Sequence, residues 1–184
     1  MSRPRIRRAR VGDVRPIKAL VDLFAGKVLL GKDLVTLYEH VQEFRVAELD
    51  GEIVGCGALH VLWEDLAEIR TVAVHPSVRG EGTGHAIVRE LIDTARRLGV
   101  RRIFVLTFET EFFGRHGFVT IDGTPVAEEV YEEIRLSADQ GVAQFLDLPS
   151  VRPNTLGNTR MLLRLGAPGV AAVAAPRRTL ASAK

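Results

Sequence analysis

Hydrophobic positions along the chain change their period several times, and each change marks an element. Ile6 to Val11 reads as a short first strand. From Asp13, a residue type suited to an N-cap, Val14, Ile17, Leu20, Val21 and Phe24 recur at helical spacing. Gly26 to Lys32 reads as a loop and Asp33 to Val41 as a second, short helix. Phe44 to Leu49 and Ile53 to Val61 have strand character on either side of Asp50-Gly51, a pair suited to the positive φ values of a tight hairpin turn. Ala67 to Val74 is a further strand. A helix follows from Thr83 to Leu98, with Ile87, Val88, Leu91, Ile92 and Ala95 on one face and Gly99 as its stop. Arg102 to Thr107 is the compact apolar run of a buried strand. A short helix from Thr110 to Arg115, a strand after Gly117-Phe118, a polar helix from Val126 to Leu136 and a last strand from Arg160 to Leu165 complete the pattern. The order predicts an α+β fold, with a mixed sheet and helices on both faces.

With 184 residues, 46% of them hydrophobic, the chain has the size and make-up of one globular domain. That domain is expected over residues 1–165. Residues 166–184, rich in Ala, Pro and Val, read as a disordered tail. No apolar stretch approaches the roughly 20 residues of a membrane span, and the N-terminal arginines precede no apolar signal segment. Cys56 is the one cysteine, so neither an internal disulfide nor a cysteine-rich zinc site can form. A cytoplasmic protein with no membrane partner fits these features. The net charge is +2, and the basic clusters fall on different elements without interleaved aromatics, which argues against a nucleic-acid partner. His75, ahead of Pro76, reads as part of a turn, and His85 and His116 lack partners at metal-ligand spacing, so no metal is expected.

The segment Arg79-Gly80-Glu81-Gly82-Thr83-Gly84 carries the clearest chemistry. It joins a predicted strand to the start of a predicted helix. Glycine allows positive φ and close approach of backbone to ligand, and the first turn of a helix presents unpaired amides at the positive end of its dipole. A strand, glycine-rich turn and helix in this order form an anion site, and a pyrophosphate suits it. The lysine of a P-loop is absent, and the order Arg-x-x-Gly-x-Gly differs from a dinucleotide fingerprint.

Preceded by Val-Ala-Val-His-Pro (Val72 to Pro76), this loop resembles motif A of the GNAT-type N-acetyltransferase superfamily. Arg7-Arg8-Ala9 with Asp13-Val14, the hairpin, and Phe112-Phe113 with Gly117-Phe118 follow in the superfamily's order, so the resemblance covers roughly residues 5 to 120. Within it, the Val28-Leu29-Leu30-x-Lys32 loop, Ala67 to Pro76, and Phe104 to Thr107 ahead of Phe112-Phe113 are similar to the acetyltransferase domain of N-acetylglutamate synthase. The resemblance implies a mostly antiparallel central sheet, acetyl-CoA as co-substrate, and direct acyl transfer to a small-molecule amino acid. The acceptor would be glutamate, in the first step of arginine synthesis, and the enzyme a homodimer. A protein N-terminus, a lysine or another small amine is the alternative acceptor. An acetyl-CoA-binding module without turnover is the alternative of another class.

By the same resemblance, Arg79 to Gly84 would hold the pyrophosphate, while the backbone of Val72, Ala73 and Val74 would meet the pantetheine arm. The Val74 amide would be an oxyanion donor, and Phe113 would pack on the arm. Glu68 is either the general base or a structural partner of Arg70 or Lys32. Alternation along an unbroken strand puts it on the face of Arg70, Val72 and Val74. Arg8 and Lys32 match basic positions of the amino-acid pocket, and Arg70 and Thr107 join them as candidate acceptor contacts. Two departures stand out. Phe113 replaces a tyrosine that protonates the leaving thiolate in many relatives. Thr107-Phe108-Glu109-Thr110 carries an acid where synthase domains carry an arginine for the acceptor, which makes a neutral acceptor such as glutamine reasonable. Asn154 to Arg160 reads as a segment that closes over the acceptor or meets a second copy.

Overall fold

The computed structural model describes residues 3–26, 29, 31–137 and 157–166. Val28 and Leu30 of the synthase-like loop, Asn154 to Leu156, and the tail past Gly166 lie outside them. The described chain forms β1 (Arg5–Arg8), α1 (Val14–Asp22), α2 (Leu34–Glu39), β2 (Phe44–Leu49), β3 (Glu52–Trp63), β4 (Leu66–Val74), α3 (Thr83–Arg97), β5 (Arg102–Thr107), α4 (Thr110–Gly114), β6 (Val119–Thr120), α5 (Glu128–Ile134) and β7 (Thr159–Arg164). The strands make one sheet in the order β1-β2-β3-β4-β5-β7-β6. Every neighbouring pair is antiparallel except β4 and β5. This is the α+β arrangement that the patterning predicts.

Local chemistry explains most boundaries. Asp50 and Gly51 take φ of 50° and 87°, the left-handed pair that closes the β2–β3 hairpin. The Asp33 side chain accepts the Thr36 amide at 2.7 Å and starts α2. Asp13 behaves differently from the cap that the sequence suggests. Its carboxylate makes no cap bond to α1. It accepts from the Arg10 amide at 2.7 Å and from Arg7 at 2.6 and 3.0 Å. These bonds close a 3-10 turn over Val11–Asp13 and end β1 at Arg8, three residues before the predicted Val11.

Three apolar clusters surround the sheet. One lies under α3 and α4 and joins Ala67, Ile69, Ile87, Leu91, Ile103, Val105 and Phe113. On the opposite face, α1 and α2 cover Val46, Cys56, Ala58 and Ala73, while α5 covers Leu62, Leu66, Phe104 and Leu162. Helix α3 lies close on β3 because Gly57 has no side chain. A Cβ there would sit 2.8 Å from Ile87 Cγ2 and 3.1 Å from Leu91 Cδ1.

Candidate active site

Strands β4 and β5 pair over only three positions, Leu66 with Arg102, Ala67 with Ile103, and Glu68 with Phe104. Beyond Glu68 they diverge. A cavity of about 670 Å³ opens between them, a volume typical of small-molecule sites. Its walls include Arg70 to Val74 of β4, Val105 to Glu109 at the end of β5, and Phe112 and Phe113 of α4. Phe24 and Leu29 from the α1–α2 connection close one side, and Arg79, Gly80, Gly82, Thr83, Gly84 and His85 close the other. Cleft and glycine-rich loop are therefore one space.

A β-bulge in β4 organises this space. Thr71 has φ of 59°, and the register slips so that Cys56 faces Ala73 while Ala58 faces Arg70. Two residues of β4 thus stand opposite Gly57, which reverses the alternation of the strand. Before the bulge, Ala67 and Ile69 belong to the α3 cluster; after it, Val72 and Val74 do, and Ala73 belongs to the α1–α2 cluster. Glu68 and Arg70 consequently share the α1–α2 face, and Val72 and Val74 point to the other. The expectation that all four side chains share one face is corrected by this single residue, because an extra residue inverts every later position.

The backbone beyond the bulge faces the gap. The His75 amide donates to the Val54 carbonyl at 2.8 Å, toward β3. Successive amides of an extended strand alternate, so those of Val74 and Val72 turn toward the cleft, where no β5 residue pairs with them. These are donors and acceptors at the edge of an opened sheet, able to bond an extended ligand as a strand would.

At the other end, Gly80 and Gly82 have φ of 86° and 81°, and a Cβ on either would meet nothing within 4 Å. Gly82 is the N-cap of α3. The Ala86 amide bonds the Gly82 carbonyl at 3.0 Å, while the amides of Thr83, Gly84 and His85 form the open first turn. The Thr83 hydroxyl is buried without a hydrogen-bond partner among the described residues, and Thr83 is 4% exposed. A buried orphan hydroxyl, left-handed glycines, Arg79 and a fifteen-residue helix aimed at the loop form a donor set for a phosphate. These residues fit the pyrophosphate of a CoA thioester.

Of the residues singled out in the sequence, Arg70, Val72, Ala73, Val74, Arg79, Gly80, Gly82, Thr83, Gly84, Thr107 and Phe113 line the cavity. Glu68 does not. It is 6% exposed at the fork of β4 and β5, directly across from His60. Glu81 is exposed beside the loop, and Lys32 is half-buried just before α2. Arg8 is exposed on edge strand β1, three strands from β4, and does not reach the cavity wall. The Thr107 hydroxyl accepts the Glu109 amide at 2.9 Å and turns the chain out of β5.

Several groups carry no sequence signal. His85 and His116, far apart in the chain, meet through Nδ1 and Nε2 at 2.8 Å, with Phe112 against the His85 ring at 4.6 Å between centroids. Burial, then the neighbouring His85 and Arg89, hold His116 below the ordinary imidazole pKa. A second polar group lies between the two apolar clusters of the α1–α2 face. His60 and His40 donate from Nδ1 to Glu43 Oε1 at 2.8 and 2.9 Å, and Arg70 donates to Glu43 Oε2 at 3.2 Å. The three groups His40, Glu43 and His60 lie within 4.8 Å of one another.

No helix among the described residues is long and apolar enough to cross a membrane. The sequence model of the acetyltransferase (GNAT) family matches residues 25–118. The chain is 65% identical over 166 residues to an amino-acid acetyltransferase of Mycobacterium tuberculosis, spanning 89% of this chain and 95% of that one. A solved structure of Rv2747 from Mycobacterium tuberculosis, in complex with CoA and NLQ, superposes with a TM-score of 0.86 at 65% identity, covering 88% of this chain and 99% of that one. N-acetylglutamate synthase from Neisseria gonorrhoeae, in complex with coenzyme A and N-acetyl-glutamate, superposes with a TM-score of 0.71 at 28% identity. That match covers 90% of this chain, which spans 36% of the synthase.

Proposed function

The chain belongs to the GNAT family of acetyltransferases, and from that premise we propose that it acetylates the α-amine of a free amino acid, glutamate or glutamine, at the expense of acetyl-CoA. The observation that carries this reading is the continuity of one cavity from the left-handed glycines, along the open edge of β4, to the α1–α2 connection. An elongated acyl donor and a small acceptor can meet in it at the end of the β4–β5 pairing. The homologous amino-acid acetyltransferase supports the substrate class. The reaction would feed arginine synthesis in the cytoplasm, and the active form would be a homodimer.

In the proposed reaction the neutral acceptor amine attacks the thioester carbonyl, a C–N bond forms, and the carbonyl oxygen becomes an oxyanion. The Val74 amide, turned into the cleft, is the candidate donor to that oxygen. Collapse breaks the C–S bond and releases CoA thiolate. The amine proton leaves toward Glu68, through water because Glu68 stands behind the cavity wall. The demand on this base is modest: an α-amine with pKa near 8 is about a tenth neutral at pH 7, and each unit corresponds to about 1.4 kcal/mol. Phe113 is 5% exposed within the α3–α4 cluster. It packs there and provides no proton for the thiolate, whose pKa near 8.5 lets solvent protonate it. Arg70, with Lys32 nearby in sequence to the α2 cap, is assigned to the acceptor carboxylate.

CoA thiol release, measured with each amino acid in turn for the natural chain and for Glu68→Gln, tests the reading. Selective turnover with glutamate or glutamine, reduced in the variant, supports it. Acetyl-CoA binding with no turnover on any free amino acid would overturn it, and would direct attention to protein amines or a binding role.

A further inference from the structure

The polar group around Glu43 stands where the sheet would otherwise be apolar. Along β3, Ala58 joins the α1–α2 cluster and Leu62 the α5 cluster, with His60 between them. Along β4, Leu66 and Ala73 flank Glu68 and Arg70 in the same way. Burying this much charge has a cost that only mutual pairing offsets. Glu43 is the hub of that pairing. It ends a 3-10 turn, Val41–Glu43, that links α2 to β2, so it enters from the helical layer rather than from the sheet.

Its two oxygens have separate tasks. Oε1 accepts from both imidazoles, and these bonds fix the carboxylate plane; Oε2 then faces the Arg70 guanidinium. Burial pushes the Glu43 carboxyl up, but His60, Arg70 and His40 together outweigh it and leave its pKa below the usual glutamate value. Glu43 is thus an anion at neutral pH. The Arg70 side chain is 8% exposed, and a guanidinium carries five N–H donors in a rigid fork, enough to serve a structural carboxylate and a ligand carboxylate together. Arg70 lines the cavity; Glu43 does not.

We propose that Glu43, oriented by His60 and His40, is a positioning residue that sets the Arg70 guanidinium for the acceptor's α-carboxylate. This rests on the assignment of Arg70 to that carboxylate. The network also ties acceptor recognition to the segment leading out of α2, on the side of the cavity where Phe24 and Leu29 stand.

The test uses the amino acid that turns over best and the same amino acid with its α-carboxylate replaced by a carboxamide. The quantity read is the ratio of their kcat/KM values. Arg70→Gln tests the assignment of Arg70, and the ratio should fall by about two orders of magnitude. Glu43→Gln preserves an acceptor for the imidazoles but turns an amide toward Arg70. The ratio should fall about tenfold, through the acceptor KM, with the acetyl-CoA KM unchanged and kcat lowered less than about threefold. In Glu43→Gln/Arg70→Gln the loss should equal that of Arg70→Gln alone, since a positioning residue has nothing left to position. An unchanged ratio in Arg70→Gln refutes the assignment of Arg70. A ratio that falls in Arg70→Gln but stays at the natural value in Glu43→Gln, or additive losses in the double variant, refutes the positioning role alone. Should Glu43→Gln not fold, Glu43→Asp keeps the charge but draws it back from Arg70, and must lower the ratio at least about threefold.

Discussion

Helix α3 offers a matched pair of glycines for separating backbone strain from ligand contact. Gly82 at its start has φ of 81°, and Gly99 just past its end has φ of 84°. Beyond its own chain neighbours, a Cβ at either position would meet no atom of the described residues within 4 Å. The two differ in place: Gly82 lines the cavity, whereas Gly99 lies at the far end of a helix about 22 Å long. Alanine in the left-handed region costs about 1 kcal/mol, so Gly82→Ala and Gly99→Ala should lower stability equally. For a chain of this size that is about 2–4 °C in Tm. The kinetics should diverge. In Gly99→Ala the acetyl-CoA KM stays at its natural value. In Gly82→Ala the new methyl group projects into the open space at the helix N-terminus, where a phosphate must approach the backbone, and KM for acetyl-CoA should rise at least about tenfold, or 1.4 kcal/mol. Thermal melts and thiol-release kinetics on the two variants supply both numbers. Equal effects on KM, or none in Gly82→Ala, would refute the placement of the pyrophosphate.

Three further outcomes follow from ionisable groups whose surroundings shift their pKa. Burial pushes the Cys56 thiol up to about 12, so it should resist iodoacetamide in the native protein and react fully in denaturant; rapid native labelling would contradict the packing under α1. His116 is held below the ordinary imidazole value, so the stability it contributes is present above pH 6.5 and lost as pH falls through its native pKa. His116→Gln should therefore lose less Tm than the natural chain between pH 7 and 5, and parallel curves would exclude the effect. The Arg7 hydrogen bond is the main reason that Asp13 sits below the ordinary value of 3.8. Its contribution is present above that pH and lost below it. Asp13→Asn should cost about 2 kcal/mol at pH 7, and urea titrations should show the gap from the natural chain closing as pH falls below 3.8.

Where local chemistry decides the backbone, the sequence is readable to the residue. The bounds Phe44–Leu49 and Arg102–Thr107 agree between pattern and structure, as does the start of α3 at Thr83 after its glycine turn. The glycine-rich turn before α3 is equally legible because glycines and a helix start are local signals. Thr71 carries no such signal. A β-branched residue disfavours positive φ, so nothing in Arg70-Thr71-Val72 announces that the faces exchange there. Glu43 is silent for a different reason: His60 and Arg70 reach it through strand pairing and a 3-10 turn, and no spacing in the chain encodes that meeting. Arg8 shows the converse, a position that matches by order along the chain while the sheet order carries it three strands away.

The parting of β4 and β5 gives the domain an unfinished seam at its centre. Two sub-sheets, β1 to β4 and β5 to β7, share three residue pairs at one end, reinforced by the Arg102 guanidinium on Asp65 at 2.8 and 2.9 Å. A ligand lying in the seam acts as a temporary eighth strand. Its binding energy is then also the energy that holds the halves together, so resistance to heat and to pulling rises with ligand concentration, by about 2.7 kcal/mol at a hundredfold excess over Kd. The same dependence runs backwards when product departs: the added stability is lost as the cleft empties, and the three pairs from Leu66 to Glu68 are the strand pairing that remains between β4 and β5.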